Sequence, residues 1–257
     1  MSLHNHISER LKITSNTQPL RLRPKSKDEL RSLIEQELKQ QGPDADLNFI
    51  DTSLITDMSE LFKDLTIRNI EIDEWDVSNV TNMNSMFAYC RKFSGIGLDK
   101  WGSRVSNVQD IGNMFAYCKN FNGDLSTWVL PKITRLYLTF YRCSNFIGTG
   151  LENWDVSNIN DISYAFSGCK SLNCDLSHWD VSNVSQMQYA FNGCELLDCD
   201  LGSWDVSNVS NMSYTFYKCK KIHCDLSSWK LSDFVTTDKA FGACPKMTPV
   251  LLPKFPN

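Results

Sequence analysis

The sequence predicts an α/β solenoid, a stack of strand–turn–short helix units with one parallel sheet along one side. Three columns of residues predict it. All seven tryptophans fall in register, from Trp75 through Trp101, Trp128, Trp154, Trp179 and Trp204 to Trp229, at spacings of 25 to 27 residues. A phenylalanine column runs from Phe87 through Phe115, Phe140, Phe166, Phe191 and Phe216 to Phe241, and a cysteine follows each one three residues later, from Cys90 to Cys244. A unit of this length cannot bury its apolar face alone, whereas stacked units share one core.

Three segments divide the chain. Residues 1–24 read as a loose tail. Residues 25–45 read as a capping helix: Ser26 and Glu29 match a capping box, Leu30, Leu33, Ile34 and Leu38 form one stripe, and Gly42-Pro43 stops it. Residues 46–257 hold about eight units and a C-terminal strand in "TPVLLPKFPN", whose prolines prevent edge pairing. The first unit is degenerate. Asp46 to Phe62 aligns without gaps to Asp200 to Phe216, with Ile50 in the Trp place and Leu65 in the Cys place.

One unit shows the expected elements. Leu172, Cys174 and Leu176 alternate with polar residues, the period of a strand with one apolar face. "WDVSN" then supplies turn residues. Val184, Met187, Phe191 and Cys194 follow at helical spacing, with Ser185 in the place of an N-cap. The insertions "GIG" (Gly95 to Gly97) and "GTG" (Gly148 to Gly150) read as glycine bulges that leave the core columns in register.

The run "WDVSNVTNMNSMF", followed by Cys, an apolar residue and "DLS", resembles the BspA-like leucine-rich repeat family of bacterial proteins. The resemblance covers roughly residues 46–252. It implies a right-handed, leucine-rich-repeat-like stack and a surface-associated binding protein, with adhesion to host matrix proteins described for some members. The family pattern contains no catalytic residues, so the resemblance carries none onto this chain.

Composition narrows the function classes. The chain is 257 residues long, 42% apolar and carries a net charge of −4. Beyond residue 45 it holds 18 basic and 24 acidic residues, which argues against nucleic acid as the ligand of the repeats. No apolar run is long enough to span a membrane. The N-terminal "MSLHNHISERLK" lacks the apolar region of a secretory signal. Three readings compete for the ten cysteines. Zinc needs ligands turned away from the core. Disulfides between neighbouring units are geometrically possible, but a ladder gives no unique pairing. The expectation is therefore a column of buried thiols, which suits a reducing compartment. The residues thus favour a cytoplasmic location and the resemblance a cell surface.

Any binding falls to columns that face outward. An acidic column runs through Glu71, Asp124, Asp175, Asp200 and Asp225, with Asp73, Asp99, Glu152 and Asp198 beside it. It would meet a basic protein partner, or else solubilise the surface and hold backbone amides. Tyr164, Tyr189 and Tyr214 occur in three consecutive units and would form an exposed aromatic contact patch. Asn79, Asn107, Asn158, Asn183 and Asn208 would satisfy backbone groups of the adjacent coil. His4, His6, His178 and His223 stand in no nucleophile arrangement. The acids repeat once per unit with no distinguished pair. The reading is a non-catalytic surface for a macromolecular partner, of adhesion or scaffold type, with no cofactor and no metal. Self-assembly is the alternative, followed by an enzyme with an unrecognised site.

Overall fold

A computed structural model describes residues 21–256. Most of the loose tail expected at 1–24 lies outside the described residues. Helix α1 spans Lys27–Gln41. The Ser26 side chain accepts from the Glu29 N–H, and the Glu29 carboxylate reaches back to the Lys25 N–H at 2.7 Å. Gly42, at φ 86°, ends the helix with its N–H on Leu38 O. Leu30 and Ile34 are buried, and Leu33 and Leu38 pack partly buried against the same core.

Beyond α1 the units do stack, but neither predicted element forms. Among the described residues there is no extended strand, no sheet and no further α-helix; three 3-10 segments remain, Leu98–Asn107, Leu151–Asn153 and Pro249–Leu251. The expectation of an α/β leucine-rich-repeat solenoid with a parallel sheet is therefore wrong. What survives of the sheet is isolated parallel bridges between units, such as Asp161↔Gln186↔Asn211↔Thr236. The predicted C-terminal strand is replaced by the 3-10 turn at Pro249–Leu251.

The hydrogen bonds give the reason. In the unit predicted as strand then helix, Leu172 N–H turns back to Cys169 O, Trp179 N–H to Leu176 O and Val184 N–H to Val181 O. Each of these closes a turn, and only Asn173 N–H leaves the Leu172–Leu176 stretch for the neighbouring unit, at Ile147 O. One crossing bond is not a ladder. Residues 186–194 fail as a helix for a related reason. Ala190, Asn192 and Cys194 donate three residues back, to Met187, Tyr189 and Phe191. The alternate amides of Met187, Tyr189, Phe191 and Gly193 cross to Asn211, Ser213, Thr215 and Tyr217 of the next unit. Half the amides stay local and half leave, so no i→i−4 series can form. Tyr189 and Gly193, at φ 57° and 72°, mark where the chain reverses into left-handed conformation.

This ladder of turns repeats in every unit. Left-handed residues recur at matching places: Glu60 and Asp64, Ser85 and Tyr89, Asn113 and Tyr117, Leu138 and Arg142, Tyr164 and Gly168, on to Lys239 and Ala243. The crossing amides of this ladder all donate forward, toward the C-terminal neighbour. Carbonyls on the first ladder therefore face the N-terminal end. Arg31 of α1 meets them, with Nη1 2.8 Å from Leu61 O and 3.4 Å from Lys63 O. Lys27 pairs with Asp57 and reaches Ser59 Oγ beside them.

The predicted core columns are buried apart from the half-buried Phe241, and each makes a contact along the stack. Every tryptophan Nε1 donates to a carbonyl of the preceding unit, from Trp75 on Leu47 O at 3.0 Å to Trp229 on Leu201 O at 2.9 Å. Phe rings stack from Phe62–Phe87 at 5.1 Å to Phe216–Phe241 at 5.2 Å. The inserted glycines are left-handed turn residues rather than strand bulges. Gly150, at φ 93°, precedes the 3-10 turn, and a Cβ there would sit 2.1 Å from Ser126 N.

Candidate functional site

The ten cysteines are free. In the main column each thiol points along the stack and donates to a phenylalanine carbonyl of the preceding unit, as Cys90 does to Phe62 O at 2.9 Å and Cys219 to Phe191 O at 3.1 Å. Burial pushes the Cys90 thiol up to about 12 and Cys118, Cys143, Cys194 and Cys219 well above the ordinary thiol range. These groups are protonated donors inside the core. The second column, Cys174, Cys199 and Cys224, is less enclosed, and burial still raises Cys174 and Cys199 to about 12. Among the described residues no group of three or more His, Cys, Asp or Glu could hold a metal ion, and no helix is long and apolar enough to cross a membrane.

The acidic column has a local task. Oδ1 of Asp124, Asp175, Asp200 and Asp225 accepts the N–H two residues on, from Ser126, Ser177, Gly202 and Ser227, at 2.8–2.9 Å. These are Asx turns that lead into the Leu-x-x-Trp corner. The Ser177 and Ser227 hydrogen bonds hold the Asp175 and Asp225 carboxyls below the ordinary range. Asp198, Asp200 and Asp225 come together with His223 along an open groove of about 540 Å³, which neither Asp124 nor Asp175 lines. The asparagine column bonds across units as its spacing suggests: Nδ2 of Asn79, Asn107, Asn183 and Asn208 reaches serine carbonyls of the neighbouring coil at 2.7–2.9 Å.

The tyrosines make a larger feature than the three-residue patch read from the sequence. Tyr164 stacks on Tyr189 at 4.7 Å and Tyr189 on Tyr214 at 4.7 Å, with ring planes within 7°. Tyr141 meets Tyr164 edge-on at 6.3 Å, Tyr117 meets Tyr141 at 5.2 Å, and Tyr89 stacks on Tyr117 at 4.6 Å. Tyr137 and Tyr217 join at the side. All eight tyrosines of the chain thus belong to one ribbon that crosses six units. Tyr164, Tyr189 and Tyr214 are half-buried, because each covers a face of its neighbour.

Sequence reasoning missed Tyr89, Tyr117 and Tyr141. They occupy different columns from Tyr164, and only the turn geometry brings the columns side by side. It also missed the cations. Arg142 lies over the rings of Tyr117 and Tyr141 at 5.6 and 5.4 Å, Lys218 over Tyr217 and Lys239 over Tyr214. Beside the ribbon runs an open trough of about 1010 Å³, lined in part by Tyr117, Tyr141 and Tyr189.

Fold and surface together define a repeat protein built of stacked turns, with an aromatic and basic ribbon along one side. The chain belongs to the family described as Mycoplasma protein of unknown function, DUF285, which matches it twice, over residues 33–151 and 134–252. No curated protein matches the chain.

Proposed function

We propose that the protein is a non-catalytic binding module that presents the tyrosine ribbon to a protein partner. One observation carries the reading. Tyr164, Tyr189 and Tyr214 sit at φ 57–58°, where an L residue other than glycine or asparagine is strained by about 1–2 kcal/mol. The same column accepts Asn113, so the turn itself does not require tyrosine. Three consecutive strained tyrosines, half open to solvent, are explained by what their rings contact. Large amphipathic rings with a polar tip are the side chains that dominate protein interfaces. The likeness of the Trp-Asp-Val-Ser-Asn-Val words to BspA-like repeats supports a binding role, since that family is described as binding proteins.

The test replaces Tyr164, Tyr189 and Tyr214 together by asparagine. The variant should keep its thermal midpoint to within a few degrees and lose the proteins that the wild-type chain captures from an extract of its source. Identical captured sets, with the fold intact, would refute the reading.

A further inference from the structure

Resting on that reading, we infer that the ribbon's occupant is an acidic, extended polypeptide segment lying in the adjoining trough. Charge is the first argument. The trough is lined by six cations, Arg91, Lys119, Arg142, Lys170, Lys218 and Lys220, against one carboxylate, Glu195. The whole chain is net acidic at −4, so this excess of positive charge is local. Glu195 is already engaged, 3.2 Å from Lys170 and 2.5 Å from Lys220. Oriented cations along a groove favour a partner of opposite sign and speed its encounter.

Ring geometry decides which anionic polymer fits. Binding of single-stranded nucleic acid relies on bases stacking against open aromatic faces. Along Tyr164, Tyr189 and Tyr214 those faces are closed against one another at 4.7 Å. The face of Tyr117 stacks on Tyr89, and the Arg142 guanidinium lies over both Tyr117 and Tyr141. The ribbon presents ring edges, the positive side of the aromatic quadrupole, together with phenolic hydroxyls. Edges, O–H donors and cations suit carboxylates and the carbonyls of an extended backbone. Base faces find no platform along the stacked rings of Tyr164, Tyr189 and Tyr214.

Length agrees with such an occupant. The cationic stretch of the trough runs from the unit of Arg91 to the unit of Lys220, five steps along the stack. At the spacing of the stacked rings this is about 25 Å, the reach of roughly seven or eight residues of extended peptide.

The experiment uses the full chain and a fluorescently labelled Glu-rich octapeptide, read by anisotropy. A Lys-rich octapeptide, a single-stranded oligonucleotide and a sulfated polysaccharide are run beside it. Lys119 and Lys218 are exposed, so the variant K119E/K218E is expected to melt with the wild type. It should weaken the Glu-rich peptide about tenfold or more, and added salt should weaken it in the wild type too. The variant K119Q/K218Q, which removes charge without reversing it, should show an intermediate loss. Preference for the oligonucleotide or the polysaccharide, binding indifferent to both variants, or no binding of the Glu-rich peptide would each overturn the inference. Should K119E/K218E still capture the wild-type partner while the tyrosine triple variant does not, the acidic occupant is wrong and the binding role of the ribbon stands. Should neither variant alter capture, the role itself falls.

Discussion

The buried thiol column makes stability depend on alkaline pH, and the size of the effect can be worked out. Cys90 is fully buried, its Sγ is 2.9 Å from Phe62 O, and its pKa rises from 9.0 to about 12 chiefly through burial. An unfolded thiol loses its proton near pH 9 while the folded one keeps it. The unfolded state then binds fewer protons, so stability is complete below about pH 9 and falls as pH rises toward 12. At about pH 10 the loss is about 1.4 kcal/mol for one such thiol. Cys118, Cys143, Cys169, Cys194 and Cys219 are equally enclosed and shifted in the same direction. The six together amount to about 8 kcal/mol, comparable to the whole stability of an ordinary domain of about 5–15 kcal/mol. The assay is urea unfolding under reducing conditions, followed by tryptophan fluorescence, at steps between about pH 7 and pH 10. Tyrosine and lysine titrate in the same range, so the control is the variant C118A/C169A. It starts less stable, and between about pH 9 and pH 10 it should lose about 2 kcal/mol less than the wild type. Equal slopes in the two proteins, or a stability flat to about pH 10, would refute the reasoning, because the thiols would then ionise in the native state.

Three further outcomes follow from the same geometry. Arg31→Ala removes the guanidinium from the carbonyls of Leu61 and Lys63 and should cost about 2–3 kcal/mol in chemical denaturation, with the far-ultraviolet spectrum little changed; no loss would mean water caps that end as well. Trp204→Phe keeps a ring but removes the donor on Leu176 O, 2.9 Å away in the core, and should cost about 1–3 kcal/mol by the same measurement. Gly150→Ala places a methyl against Ser126 N at a φ of 93° and should lower stability by more than about 2 kcal/mol, whereas alanine at Gly42, which has a similar φ and nothing within 4 Å, should cost less.

The core was legible because periodicity reports burial directly. The Trp, Phe and Cys columns lie inside, as their register requires. The helix at Lys27–Gln41 was legible because its cap, stripe and stop are local signals. Strand and helix were misread within each unit because a turn every few residues also brings apolar side chains inward. Met187 and Phe191 are four residues apart in either conformation. Left-handed Tyr189 breaks the helix between them, and tyrosine carries no signal for that conformation. The Asp residues two places before a serine or glycine were the available signal for turns, and they recur at Asp175, Asp180, Asp200 and Asp205.

By itself the sequence determined that this chain repeats, which residues its units share as a core, and that Tyr164, Tyr189 and Tyr214 stand apart from that core. Side-chain type and period carry this, because burial of apolar surface depends on little else. Only the tertiary structure decided where each backbone amide goes. An amide can close its own turn or cross to the next unit, and both choices satisfy it equally well. Stacking resolves the choice: alternate amides face the neighbouring unit and the rest face their own. That same geometry aligns tyrosines from different columns into one ribbon and gathers lysines and arginines from five units beside it.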